Sequence, residues 1–239
     1  MEYSFVITQD NHLLEQYYRL RESCFRQELG IPRFDGSEEG FDREGTILLA
    51  VGRGGRVLAG ARIYGNHPGQ GRRLPIESQR FRLRNYFPGL DLGWRPYCHW
   101  GRLVIDPEVR SQSFSKDFLG RLLDCSATLG YHFAFIVTDQ KRSRYYRLLH
   151  KLLGYDYRIS GSEVPGADQQ FSTLEQKVSY AVLPSGDSAA VPKHPRRCRK
   201  TFLRELGIGN EASHDWRPHL VVANDSGEEV QPGEGQLTV

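Results

Sequence analysis

No two cysteines in this sequence are close enough to suggest a shared job. Cys24, Cys98, Cys125 and Cys198 are scattered along 239 residues, with no CxxC pair and no histidine at zinc-finger spacing. A disulfide framework and a zinc site are therefore not signalled, no metal is expected, and a reducing cytoplasm is the compartment the cysteines suggest. The chain also lacks a long apolar run: nothing approaches the ~20 residues that a membrane-spanning helix needs. The first residues, Met1-Glu2-Tyr3-Ser4, do not open a basic and then apolar leader, so export is not expected. Charge of one sign is scarce too. Lys plus Arg number 32 against 29 Asp plus Glu, and a net +3 is too small to argue nucleic-acid binding by itself. What is abundant is ring surface, 12 Tyr and 12 Phe in a chain that is 38% hydrophobic, which excludes a disordered or collagen-like polymer and predicts a folded core.

Apolar periodicity divides the chain. A strand over Ser4 to Thr8 precedes a segment from His12 to Leu29 with Leu13, Leu14, Tyr17, Leu20, Cys24 and Phe25 at helical spacing, ended by Gly30 and Pro32. An Asp, Glu and Gly-rich loop runs to Gly45. Thr46 to Val51 and Arg56 to Tyr64, around Gly52-Arg-Gly-Gly55, read as an antiparallel hairpin with Val57, Ala59, Ala61 and Ile63 on one face. Residues 65–97 are rich in Gly, Pro and Arg and too long for a simple connection, so they are expected to help shape a pocket. A strand from Cys98 to Ile105, a helix from Phe114 to Leu129, a strand from His132 to Thr138, a helix from Arg142 to Leu153, and strands over Tyr155 to Ser160 and Val178 to Leu183 follow. Hairpins combined with helical crossovers predict an α/β (α+β) domain over residues 1–183, a mixed central sheet of about seven strands flanked by helices. Residues 184–239 read as a basic, partly disordered C-terminal appendage that contains the run Lys193 to Lys200.

Several segments, in this order, resemble the GNAT acyltransferase superfamily. The narrower resemblance is to its autoinducer (acyl-homoserine lactone) synthases and long-chain N-acyl amino acid synthases. Arg21 and Phe25 in Leu20-Arg-Glu-Ser-Cys-Phe25 have the spacing of that branch's first-helix Arg and Phe, and Ile31 stands where it usually has a Trp. Glu39-Gly-Phe-Asp42 resembles its acidic pair. Ala59-Gly-Ala-Arg62-Ile63 is similar to its Gly-x-x-Arg-Leu strand, with Ala59 at the Gly position. His99-Trp-Gly-Arg102-Leu-Val104 matches Glu-x-Ser-Arg-Phe at its Arg, with His99 replacing the Glu and Gly101 the Ser. Arg110-Ser-Gln-Ser113-Phe-Ser115 stands where the superfamily has its Gly-containing cofactor loop, and serines fill both small positions. Ser143 through His150 to Gly154-Tyr155 is similar to its closing Asn…Tyr…Gly-Phe segment.

The resemblance implies an acyltransferase with no permanently bound cofactor, in which acyl-coenzyme A or acyl carrier protein serves as co-substrate through its phosphopantetheine thioester. Thioester aminolysis requires a deprotonated amine, a polarised carbonyl and a departing thiolate. A thiol of pKa ~8.5 leaves readily, so His150, Tyr145 and Tyr146 read as packing or surface residues rather than acids. Main-chain donors near Leu103 and Val104 are the expected polarising groups. His99 is the expected base, acting near neutral pKa, set against a structural role on the strand. Glu39 and Asp42 are, without the resemblance, an ordinary acidic loop; with it they serve the amine site, Glu39 as an expected catalytic residue and Asp42 as a substrate-binding one. Arg21, Arg62 and Arg102, with Phe25, either hold the acceptor's carboxylate or fix the acids in a structural cluster. Arg110, Ser113 and Ser115 are expected to meet a phosphate of the pantetheine arm. The basic run Lys193 to Lys200 would attract an acidic carrier protein. The expected reaction joins a medium or long acyl group to the primary amine of an amino acid or an S-adenosylmethionine-like molecule. A short-chain acetyl-coenzyme A N-acetyltransferase and a non-catalytic binding module stand as rivals.

Overall fold

A computed structural model describes residues 2–78, 81–163 and 176–184. After strand β1 (Tyr3–Ile7), Asp10 caps helix α1 (Asn11–Glu28) by accepting from the Leu13 N–H at 3.1 Å, and the helix turns Tyr17, Cys24 and Phe25 inward as their spacing predicts. Arg21 lies on the same buried stripe. The acidic segment expected to be a plain loop contains a short helix, α2 (Gly40–Glu44), because the Asp42 carboxylate accepts from the Glu39 N–H at 2.8 Å and starts a turn there.

Strands β2 (Thr46–Gly52) and β3 (Val57–Asn66) form the predicted antiparallel hairpin. An irregularity beside Ala50 and Val51 shifts their register by one residue. Val57 consequently packs with Tyr17 and Leu49 on the α1 side, whereas Ala59, Ala61 and Ile63 face the opposite core, which corrects the expectation that all four share a face. Both sides of β3 are buried, so alternation carried no polarity signal there.

Residues 67–96 include helix α3 (Leu83–Tyr86) and lead into β4 (Tyr97–Ile105). Leu74, Ile76, Phe81, Leu83 and Leu92 pack on Tyr64, Phe135 and Tyr180, so this stretch is mostly a cover for one half of the sheet. Ser111 caps α4 (Gln112–Thr128), β5 (Phe133–Thr138) follows, and Asp139 caps α5 (Gln140–Leu153), which Gly154 ends in a left-handed conformation at φ 79°. Strands β6 (Tyr157–Glu163) and β7 (Lys177–Val182) complete seven strands in the order β1-β2-β3-β4-β5-β7-β6, antiparallel except for the parallel β4–β5 pair.

Helix α1 and the 67–96 cover occupy one face of the sheet; α4 and α5 occupy the other, over Leu48, Trp100, Ala134 and Ala181. The α/β class and the mixed, helix-flanked sheet are thus as expected. The basic appendage, apart from Pro184, lies outside the described residues, and with it the Lys193 to Lys200 run. Among the described residues no helix is long and apolar enough to cross a membrane.

Candidate active site

Strands β4 and β5 pair only at Tyr97–Phe133, Cys98–Ala134 and His99–Phe135. Beyond His99 the two strands part, and β4 keeps β3 alone as a neighbour. A cavity of about 670 Å³ opens into the gap, lined by β4 from His99 to Ile105, by β5 from Ile136, and by side chains from both faces of the sheet. That volume is in the range of small-molecule sites.

The path of β4 through the gap is irregular for a local reason. Gly60 pairs with Val104 but Arg62 with Gly101, so β4 carries one extra residue there, and Arg102 adopts φ 55°. Non-glycine residues rarely take that conformation without support. The support comes from helix α1: the Tyr17 hydroxyl donates to the Arg102 carbonyl at 2.8 Å. Tyr17 reaches it across Gly60, where an added Cβ would sit 2.3 Å from the ring. Gly60 therefore has to be glycine, one position after Ala59, to which the resemblance assigned the small-residue position.

The charged residues named from the sequence form one connected ladder. Arg21, fully buried, donates from Nε to the Gly36 carbonyl at 2.7 Å, to the Ser37 carbonyl, and from Nη1 to Asp42 at 2.9 Å. Arg62 Nη1 meets the other Asp42 oxygen at 2.9 Å and Glu39 at 2.6 Å. Arg102 Nε meets Glu39 at 2.9 Å, with Nη2 on the same oxygen. Aromatic faces cover the guanidiniums: Tyr18 under Arg21, Phe41 under Arg62, Phe34 under Arg102. Phe25 supports this layer by an edge contact to Phe34 and also lines the cavity.

Within the ladder, three guanidiniums share the two carboxylates of Glu39 and Asp42. Of its members only Arg62 and Arg102 reach the cavity wall; Arg21, Glu39 and Asp42 stand behind them. Burial works to raise the Glu39 carboxyl, but the hydrogen bonds and charges of Arg102 and Arg62 outweigh it and hold the group below its ordinary range. The acids face guanidiniums, and the cavity sees the guanidiniums.

His99 is on the wall between these arginines and the 67–96 cover, buried, with no partner for Nδ1. Burial, then the charges of Arg62 and Arg102, hold its pKa well below 6.5. His99 is thus neutral and more weakly basic than the near-neutral group its position suggested. Leu103 and Val104 line the cavity along the parted edge. Arg110 also lines the cavity, but its guanidinium is clamped by Glu28 at 2.7 Å on both nitrogens and by the Ile105 carbonyl at 2.6 Å. Ser115 lines the cavity with an unpartnered Oγ, while Ser113 points elsewhere, exposed and off the wall. His150 is buried outside the cavity. Tyr145 and Tyr146, read as packing or surface residues, lie on its wall beside Lys141 and Arg142 of α5. That contribution had a signal, the cluster of basic and aromatic residues in the first turns of a helix following a strand, which sequence reasoning set aside.

No family model and no curated protein sequence matches the chain. Solved structures do. The acyl-homoserine lactone synthase LasI superposes with a TM-score of 0.54 at 15% identity, over 77% of this chain and 91% of its own. BjaI, a CoA-dependent acyl-homoserine lactone synthase solved with SAM and isopentyl-CoA, gives 0.53 at 14% over 87% and 92%. FeeM, an N-acyl amino acid synthase from uncultured soil microbes, gives 0.50 at 12% over 76% and 91%. These likenesses establish the fold, and the GNAT-like architecture implied by the sequence motifs is the one observed.

Proposed function

We propose that the protein is an N-acyltransferase that moves a medium or long acyl group from a coenzyme A or carrier-protein thioester to the primary amine of a small molecule. The observation that carries this reading is the parting of β4 from β5 over a cavity lined by both strands. A thioester laid in that gap meets main chain instead of a neighbouring strand, and preorganised N–H donors are effective where negative charge develops on a carbonyl oxygen. In the reaction the amine nitrogen bonds to the thioester carbon, the carbon–sulfur bond breaks, and the thiolate departs with its electron pair. Leu103 and Val104 contribute the polarising backbone. His99, neutral beforehand, accepts the proton shed by the attacking amine.

The fold's likeness to a CoA-dependent lactone synthase and to an N-acyl amino acid synthase supports the class of reaction. Phe25, Leu29, Phe118, Leu119 and Ile136 supply an apolar wall on which an acyl chain can lie. Lys141 and Arg142 of α5 bring basic side chains to the cavity, suited to the phosphates of coenzyme A or to an acidic carrier, with the Lys193 to Lys200 run as a second attraction for the latter. Arg110 joins these side chains if a phosphate displaces Glu28 from it; Ser115 offers its hydroxyl to the arm inside the gap. Serines in place of the small Gly-containing loop count against a dedicated acetyl-coenzyme A enzyme.

Incubation with thioesters of graded chain length and a panel of amines, read by mass spectrometry, tests this. N-acyl amides from medium or long donors are expected, and His99→Gln and His99→Ala should each lower turnover more than donor affinity. Preference for acetyl-coenzyme A removes the chain-length reading. Absence of any N-acyl product leaves a binding module.

A further inference from the structure

Helices α1 and α5 treat their arginines differently. On α1, Arg19 and Arg26 each pair with a glutamate four residues earlier, Glu15 and Glu22. Helix α5 carries Lys141, Arg142, Arg144, Arg147 and Lys151 and no Asp or Glu. Arg142 pairs with the cap residue Asp139, but Arg144 and Arg147 are exposed and, among the described residues, without an ion pair. Three positions apart, they are neighbours of like charge, an arrangement that works against the helix. Both line a pocket of about 350 Å³ between α5 and the β6–β7 hairpin. This pocket and the thioester cavity have no wall residue in common: Lys141, Arg142, Tyr145 and Tyr146 line the cavity, and Gln140, Arg144 and Arg147 line the pocket. At about 3.6 residues per turn the two sets centre on opposite faces of α5.

The strand side of the pocket is made by an irregularity in the sheet. Ile159 pairs with Ser179 and Glu163 with Lys177, so Ser160, Gly161 and Ser162 stand against Val178 alone and β6 carries two extra residues there. Gly161 lies on the pocket wall, and a Cβ built on it meets nothing within 4 Å, so the main chain of the bulge is open to a ligand. Lys177 and Ser160 line the pocket too, each with an interaction of its own, and among the described residues no carboxylate lines it.

We infer that this pocket is a phosphate site, in which Arg144 and Arg147 hold the phosphate monoester of a molecule other than the thioester donor. A carboxylate has two oxygens, which one guanidinium edge already occupies. A phosphate monoester has three free oxygens and nearly two negative charges at neutral pH, so it meets both forks and offsets the repulsion between them. The placement argues for a separate molecule, because α5 stands between this pocket and the gap in which the thioester lies. The site does not rest on the acyltransferase reading.

Titration with inorganic phosphate at constant ionic strength, followed by phosphorus NMR, reads the site without turnover. The wild-type protein should bind phosphate, and the double variant Arg144→Gln, Arg147→Gln should bind it about tenfold or more weakly, the ratio expected for one charge-assisted contact. Gly161→Leu, which keeps every charge and fills the open space at the bulge, should weaken binding as well, with circular dichroism unchanged in both variants. Phosphate should still bind when a non-hydrolysable acyl-coenzyme A analogue saturates the cavity. No binding to the wild-type protein, or equal binding by it and the double variant, overturns the site. Binding that survives in Gly161→Leu overturns its placement at the bulge. Competition by coenzyme A that disappears with dephospho-coenzyme A would give the pocket to the donor's own phosphate and overturn the separate ligand. A protein that binds phosphate in this pattern but transfers no acyl group would lose the transferase reading and keep the site.

Discussion

His99 and His150 are nearly the same residue by their numbers. Both are buried, both have one ring nitrogen without a partner, and both titrate below the ordinary histidine range. Their surroundings separate them. His150 is stacked between Tyr157, 4.2 Å away, and Trp100, 6.0 Å away, and its Nδ1 lies 2.7 Å from the Tyr146 carbonyl. Everything that touches it is protein, and burial alone accounts for its lowered pKa, offset in part by that carbonyl. His99 lies on a cavity wall beside two guanidiniums that the protein holds in place. An unpartnered buried nitrogen marks a site only where space for a ligand reaches it; in the core it is a tolerated cost of packing.

The largest way to break this contrast is to remove what holds the charges near His99. Asp42→Ala strips Arg21 and Arg62 of their shared acid in a fully buried position, and should cost about 3–5 kcal/mol in urea denaturation. A loss under about 1 kcal/mol would mean that the arginines are fixed by other contacts and that the environment of His99 is not set by the ladder.

Next in size is the acid limb of stability. The folded pKa of His150 is lowered from 6.5 to about 4, so its neutral form stabilises the fold fully above 6.5, and that contribution drains away as pH falls from 6.5 toward 4. The full amount is about 3 kcal/mol. His150→Phe keeps the ring stack and should flatten this limb without altering acyl transfer, whereas His99→Gln should flatten part of it and slow transfer. Equal effects of the two variants on transfer would erase the distinction between core and cavity histidine.

Much of this contrast was hidden in the sequence. The helical stripe of α1, the hairpin and the alternation of strands and helices were legible because they are local patterns. So, with the family resemblance, was the ladder, since Arg21, Glu39, Asp42, Arg62 and Arg102 stand at recognisable positions. The bulge in β4 was not. Arg102 has no glycine or asparagine to announce its positive φ, and the conformation is held by Tyr17 from 85 residues away. Arg110 looked free for a phosphate because its clamp, Glu28, is 82 residues distant in the chain. The depressed pKa of His99 likewise depends on which arginines turn toward it, a matter of side-chain direction that spacing does not encode.

The smallest effects come from two serines of α4 and repeat the comparison between cavity and core. Ser126 is fully buried, accepts from the Trp100 indole at 2.8 Å and donates to the Leu122 carbonyl at 2.8 Å. Ser115, 3% exposed, has no partner and lines the cavity. Ser126→Ala strands a buried indole N–H and should cost about 1–3 kcal/mol. Ser115→Ala removes no bond and should leave stability within about 0.5 kcal/mol. Thioester binding should reverse the order: losing one neutral hydrogen bond to the donor is worth about 1 kcal/mol, roughly fivefold in affinity, and only Ser115 can make it. Titration of both variants with a non-hydrolysable acyl-coenzyme A analogue measures this. A Ser115→Ala protein that is less stable yet binds the analogue as the wild type does would show that its hydroxyl belongs to the fold, and the rule that separates His99 from His150 would fail one turn into α4.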